Sequence, residues 1–216
     1  NSADSAYLSR TPSVAGNRKT WTWAGWVKRS RISDNNYHEL FCAIDASATS
    51  YTLLLWNPND ERLSFWDNSG GPSILVTNQV FRDTSAWIHL ILAVDTTQAS
   101  ASNRAKLYVN GSEITSFAID NRSALSQNYD TTINRSGYSH SIGSQQPYSA
   151  RYLDAYLADI YFIDGQALTP SSFGQTDSNG VWQPKAYTGT YGTNGFHLDF
   201  ADNSADRKST RLNSSH

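Results

Sequence analysis

The chain has 216 residues, with 17 Lys and Arg against 19 Asp and Glu, a net charge of −2, one Cys, no Met and seven Trp. That length suits one all-β domain or two small ones with a sizeable core, and the charge balance excludes a nucleic-acid partner gripped by a basic stripe. A mean hydropathy of −0.53 with no apolar run near ~18 residues excludes membrane insertion by a helix, the lone Cys42 excludes an intrachain disulfide framework and a Cys-rich zinc site, and 12% aromatics exclude a disordered chain.

In chain order, the first seven residues carry neither the basic nor the apolar region of a signal peptide, and with no initiator Met the chain reads as a fragment open at both ends. Short strands follow, separated by turns. Residues 20–27 are aromatic and β-branched, 38–43 and 51–56 are short apolar runs, 62–66 alternate, and 73–77 follow Gly70-Gly71-Pro72. Residues 87–95 form a nearly continuous apolar run, as expected of a strand covered on both faces. Residues 105–109 end in Asn110-Gly111, a tight-turn signal leading into 113–119. The stretch 121–150 is polar and loop-rich, with short strands expected near 131–134 and 140–142. Strands at 156–163 and 196–200 complete the set. Thr169 and Pro170 predict one short helix ending at Gly174. The fold class is therefore all-β: an antiparallel two-sheet β-sandwich of jelly-roll type with one short helix after the late strand. One domain spans 1–205, with its core over 5–174 and an extension over 175–205. The last eleven residues, 206–216, match the translation of a sequencing adapter and are set aside.

One hairpin can be drawn residue by residue. Pairing Leu55 with Leu63 and Leu53 with Phe65 gives an apolar face for the core. The other face then joins Trp56 to Arg62, Leu54 to Ser64 and Thr52 to Trp66. Trp56, Arg62 and Trp66 make an aromatic and polar surface suited to a sugar, worth ~0.5–1 kcal/mol if Arg lies over an exposed Trp. The alternative is that a neighbouring loop covers these tryptophans. A second candidate is the polar loop with Asn134, Tyr138, His140 and Tyr148.

Three stretches resemble the laminin-G-like members of the concanavalin A-like lectin/glucanase superfamily. They are the strand ending in Gly25-Trp-Val-Lys28; the run Trp87-Ile-His-Leu-Ile-Leu-Ala-Val-Asp95 with Lys106-Leu-Tyr-Val-Asn-Gly111; and Tyr156-Leu-Ala-Asp-Ile-Tyr-Phe-Ile-Asp-Gly-Gln-Ala-Leu-Thr169. The family's usual Gly before the late strand is Ala155 here. Residues 4–10, 161–168 and 191–200 are also similar to virion structural or tail-fibre proteins of marine tailed phages. These resemblances imply two packed sheets, a glycan or host-surface ligand, other virion subunits as partners, and a virion or extracellular setting. Some relatives bind calcium, and two oxygen-rich spots are candidates for it: Asp67 with Asn68, and Asp95 with Asn110.

Catalysis is not expected. A retaining glucanase needs two carboxylates ~5–5.5 Å apart, and the three Glu, at 39, 61 and 113, show no such spacing. Asp154 and Asp159 fall on opposite faces of an unbroken strand. Cys42 reads as an inert core thiol and His89 as a satisfied histidine within its strand. The functions weighed are a non-catalytic glycan-binding module of a virion surface protein, a purely structural assembly domain, and a glycosidase relative.

Overall fold

The computed structural model describes residues 5–32, 34–58, 60–68, 73–146 and 151–200. The candidate Tyr148 and the tail 206–216 lie outside the described residues. The described residues form fifteen strands: β1 (Leu8–Arg10), β2 (Thr20–Arg29), β3 (His38–Ile44), β4 (Tyr51–Trp56), β5 (Arg62–Asp67), β6 (Ser73–Val80), β7 (Ile88–Asp95), β8 (Ala105–Val109), β9 (Ser112–Glu113), β10 (Phe117–Asp120), β11 (Ser139–Ile142), β12 (Ala155–Asp164), β13 (Gly174–Thr176), β14 (Trp182–Pro184) and β15 (Phe196–Leu198). One sheet runs β1-β11-β3-β4-β5-β6-β10, the other β15-β12-β2-β7-β8-β9, and β13 pairs with β14 alone. All pairings are antiparallel. The expected 113–119 strand divides: Ser112–Glu113 stays beside β8, and Phe117–Asp120 crosses to β6. The predicted strand near 131–134 is irregular loop. The predicted helix is a single 3-10 turn, Pro170–Ser172.

The two inner faces pack the main core, in which Trp21, Trp23 and Val27 from β2 meet Phe41, Leu54, Trp56 and Phe65 from the opposite sheet. Two satellite clusters cover the outer faces. Cys42, Ile44, Leu53 and Leu55 lie outside the seven-stranded sheet with Tyr37, Tyr51 and Trp66. Ala24, Ile91 and Tyr161 lie outside the six-stranded sheet under Phe173 and Tyr187 of the C-terminal segment. This double cover is why β7 reads as a continuous apolar run.

The β4–β5 hairpin differs from expectation by one residue. Trp56 faces Leu63, Leu54 faces Phe65 and Leu53 faces Trp66. The loop is longer by one: Asn57 N–H donates to the Arg62 carbonyl at 2.9 Å, and Glu61 turns the chain in the left-handed region at φ 58°. A single-residue slip exchanges the faces. Trp56 is therefore fully buried in the main core, while Trp66 lies on the outer face.

A bulge in β12 shapes the other sheet. Ala158 pairs with Trp26 but Tyr161 with Ala24, so one extra residue is inserted, and Asp159 takes φ 46° there. The strand is thus not the unbroken one assumed for Asp154 and Asp159, and Asp154 precedes it. Gly25 lies across from the bulge, and a Cβ at this position would stand 2.3 Å from Ile160 Cδ1. Gly25→Ala is expected to cost ~1–3 kcal/mol through overpacking, measured as a lower urea midpoint. An unchanged midpoint would show that the bulge yields freely.

Candidate functional site

The six-stranded sheet carries an aromatic shelf that grows from strand alternation. On β2 the odd positions Trp21, Trp23 and Val27 face the core, so Ala24, Trp26 and Lys28 face outward. Lys28 pairs with Tyr156, and Trp26 pairs with Ala158 on one side and His89 on the other. Trp87, one step ahead of β7, continues that register opposite Lys28. Neighbouring strands lie ~4.8 Å apart, so Tyr156 and Trp87 flank Lys28 across ~10 Å. Both are open to solvent, Tyr156 62% and Trp87 41% exposed. Ala158 leaves a step beside Trp26.

His89 anchors this shelf. Its ring stacks on Trp26 with centroids 5.0 Å apart and on Trp182 at 6.0 Å. Trp182 Nε1–H donates to His89 Nδ1 at 3.1 Å, which places the His proton on Nε2. Burial pushes its pKa down to about 4, so the ring is neutral. Trp182 also closes over Gly111, where a Cβ would meet the indole at 2.7 Å. The expectation of a satisfied histidine holds at Nδ1; Nε2 and Trp26 Nε1 are buried and have no hydrogen-bond partner.

The residues singled out in the sequence lie elsewhere and apart. Trp56 is a core residue under the Arg29 guanidinium, 4.6 Å from the ring centroid, so Arg29 takes the place expected of Arg62. Arg62 opens β5 beside the turn, and its backbone N–H donates to Asp60 Oδ1 at 3.1 Å. Trp66 is half-buried against Tyr37 at 5.5 Å, with Arg151 over both rings. The single face joining Trp56, Arg62 and Trp66 does not form, because of the hairpin slip. Tyr138 packs under Arg135 at 4.4 Å.

His140 and Asn134 do come together. Asn134 N–H donates to His140 Nε2 at 2.8 Å, and His140 Nδ1–H donates to the Tyr138 carbonyl at 3.0 Å. Burial first, and then the nearby Arg10 charge, lower the His140 pKa to about 4 despite that carbonyl. Both residues line a cavity of about 320 Å³ at the edge where β1 and β15 border the two sheets. Asp164 braces two of the lining residues, Asn134 and Asn194. Asp164 Oδ1 accepts from Asn17 N–H at 2.7 Å and from Asn134 Nδ2 at 3.0 Å, and its Oδ2 accepts from Asn194 N–H at 2.9 Å.

One of the two calcium candidates does not assemble. Asp95 ends β7, whereas Asn110 lies beside His89 at the other end of that strand, ~20 Å away by strand rise. Antiparallel neighbours put their C-terminal ends at opposite edges of the sheet. Asp95 is occupied by Thr97, Gln98 and Thr20, whose hydrogen bonds outweigh burial and hold its pKa low. Asp67 Oδ2 accepts from Thr52 Oγ1 at 2.6 Å, and Asn68 bonds Tyr51 N–H and the Thr49 carbonyl. Among the described residues no group of three or more His, Cys, Asp or Glu is arranged to hold a metal.

The three Glu do not converge either. Glu39 is buried outside the seven-stranded sheet, where burial raises its pKa well above the usual range against the pull of Arg151. Glu61 is ion-paired to Arg29 at 2.6 Å, and Glu113 lies on β9 with Lys106 at 3.2 Å. Cys42 is buried as expected, its Sγ 3.0 Å from Ser141 Oγ and its pKa pushed up to about 12, first by burial. Among the described residues no helix is long and apolar enough to cross a membrane.

Two facing antiparallel sheets with partly covered outer surfaces define a β-sandwich of the concanavalin A-like class. The chain belongs to the Laminin_G_3 family of the concanavalin A-like lectin/glucanase superfamily, whose model matches residues 1–173. No curated protein sequence matches it. Among solved structures it is similar to the native heptameric SAP-like pentraxin of Limulus polyphemus, with 16% identity over 76% of this chain and 71% of that one at a TM-score of 0.52. It is also similar to domains LG4-5 of the mouse laminin α1 chain, with 10% identity over 90% of this chain and 44% of that one at a TM-score of 0.51. A Trypanosoma rangeli sialidase matches at 12% identity and a TM-score of 0.48, and the chain spans 21% of its length. At these identities the likeness is one of fold.

Proposed function

We propose that the chain is a non-catalytic glycan-binding module whose ligand rests on the shelf formed by Trp26, Lys28, Trp87 and Tyr156. The observation that carries this reading is the pair of exposed aromatic rings flanking a lysine on a rigid sheet face. Exposed aromatic rings gathered on one face, rather than scattered singly, mark a contact surface. The C–H face of a pyranose stacks on an indole or phenol ring, and the Lys28 ammonium donates to ring hydroxyls or a sugar carboxylate. Placement on strands fixes the spacing of the platform before binding, which limits the entropy lost on association. The dispersed glutamates support a binding rather than a hydrolytic role.

For the setting we propose a virion or extracellular surface, on the strength of the resemblance of residues 4–10, 161–168 and 191–200 to phage virion proteins. Packing against other virion subunits is the competing use of the same face.

A glycan array probed with the chain tests the reading. Tyr156→Ala and Trp87→Ala are each expected to weaken binding about ten-fold, as for loss of a stacking platform, and Tyr156→Ala to do so with its unfolding midpoint nearly unchanged, because Tyr156 is the more exposed of the two. No array signal, or a signal indifferent to both changes, overturns the assignment.

A further inference from the structure

The edge cavity is separate from the shelf and has a chemistry of its own. It is walled by Phe41, Ile142, Phe162, Phe196 and Leu198, with Leu8 at β1. Ser9, Arg10, Asn134, His140, Ser141 and Asn194 interrupt this wall, and three of them give the cavity its chemistry. Asn134 is fully buried; its Nδ2 is committed to the Asn17 carbonyl and to Asp164, yet its Oδ1 has no partner. An unmet buried acceptor is costly unless a donor reaches it. Arg10 also lines the cavity and is solvent-exposed. It donates through two N–H groups to the Asn194 carbonyl and Oδ1, each at 3.2 Å, and among the described residues it has no carboxylate partner. Finally, His140 is held neutral with both ring nitrogens bonded, so it adds polarity without charge.

We propose that this cavity binds a small anionic amphiphile: an apolar ring body seated among the phenylalanines, an N–H or O–H group donating to Asn134 Oδ1, and an acid group at Arg10. A volume near 320 Å³ lies at the small end of ligand pockets and admits a body of two to three fused or linked rings. The phenylalanine-rich part of the wall disfavours a bare sugar, whose hydroxyls would go unpaired against it. Arg10 selects for the acid, because its planar fork still has N–H groups to offer a carboxylate or sulfonate.

Two dyes that differ only in charge test this on the full chain. Anilinonaphthalene sulfonate supplies rings, an N–H and an anion; N-phenylnaphthylamine is the same molecule without the sulfonate. Fluorescence titration is expected to show one saturable site per chain for both. Arg10→Gln should weaken the sulfonate about five-fold or more, as for loss of a charged hydrogen bond, and leave the neutral dye unchanged. Leu198→Trp should abolish both by filling the cavity, and Leu8→Trp, at a more exposed wall position, repeats this should the first variant fail to fold. Tyr156→Ala, on the shelf, should leave both dyes unaffected, so this proposal and the glycan reading stand or fall separately. Absence of saturable binding, binding indifferent to both tryptophan variants, or an Arg10→Gln effect that is equal for the two dyes overturns the proposal.

Discussion

Glu61→Gln is expected to destabilise the fold by about 3–5 kcal/mol, the range for removing one partner of a buried ion pair. The side chains of Arg29 and Glu61 are only 2% and 3% exposed, and they meet at 2.6 Å. Arg29 also donates to the Phe81 carbonyl at 2.6 Å and lies over Trp56. Burial lowers the Arg29 pKa against the attraction of Glu61. Without that carboxylate the guanidinium cation remains inside the sandwich with only the weaker attraction of Asp34 as counter-charge. Replacing both partners, Arg29→Met with Glu61→Gln, should recover most of the loss, because the desolvation of a lone charge then disappears. Urea unfolding of the single and double variants measures this. A single variant within 1 kcal/mol of the parent, a limit set well below the expected range, would mean that water reaches Arg29.

Acid should weaken the protein well above the pH at which its carboxylates titrate. His89 and His140 both have folded pKa values near 4, principally through burial, against about 6.5 when unfolded. Between these values the unfolded chain binds the proton and the folded chain does not, so stability rises with pH. Each ring therefore contributes stability that is complete above about 6.5 and lost as pH falls to about 4, ~3 kcal/mol apiece over the full span. Glu39 acts with the opposite sign. Its raised folded pKa keeps its proton in the native state, which adds stability below the ordinary carboxyl range and removes it as pH rises. Over part of the histidine window Glu39 thus cancels one proton of the difference. Glu39→Gln should consequently steepen the acid limb and raise stability at neutral pH, while His140→Gln should flatten it. Below that window Asp34 takes over: bonds from His38 and Asn36 outweigh burial and hold its pKa at about 2, so its contribution fades only as pH falls from the usual carboxyl range toward 2. Unfolding midpoints between pH 3 and 8 test these signs, a span chosen to bracket the two histidine values. Parallel curves for the parent and His140→Gln would contradict the assignment.

The sandwich was legible because alternation and turn chemistry are local. Residues 20–27, 51–56 and 105–109 announce strands by residue type alone, and Asn110-Gly111 marks a turn that the structure keeps, with φ 48° and 83°. The motif residue Asp164 also gains a physical reason, since it ties three distant segments through its carboxylate. The shelf was within reach as well: period two puts Trp26 and Lys28 on one face, and the late strand beside them puts Tyr156 next to Lys28. What concealed it was the absence of any local cue that β12 neighbours β2.

The sequence by itself determined that this is an all-β chain with an aromatic-rich core, a covered β7 and no expected catalytic acid pair, because those properties follow from composition and from periods of two. Only the tertiary structure decided which aromatics are free. One left-handed residue, Glu61, lengthens a loop and turns Trp56 into the core. One bulge at Asp159 sets the register that places Tyr156 beside Lys28 and Ala158 beside Trp26. The meeting of β1 and β15 at the sandwich edge opens a cavity between segments some 130 to 190 residues apart in the chain. Faces and cavities depend on register and on long-range packing, and a one-residue shift in either exchanges inside for outside.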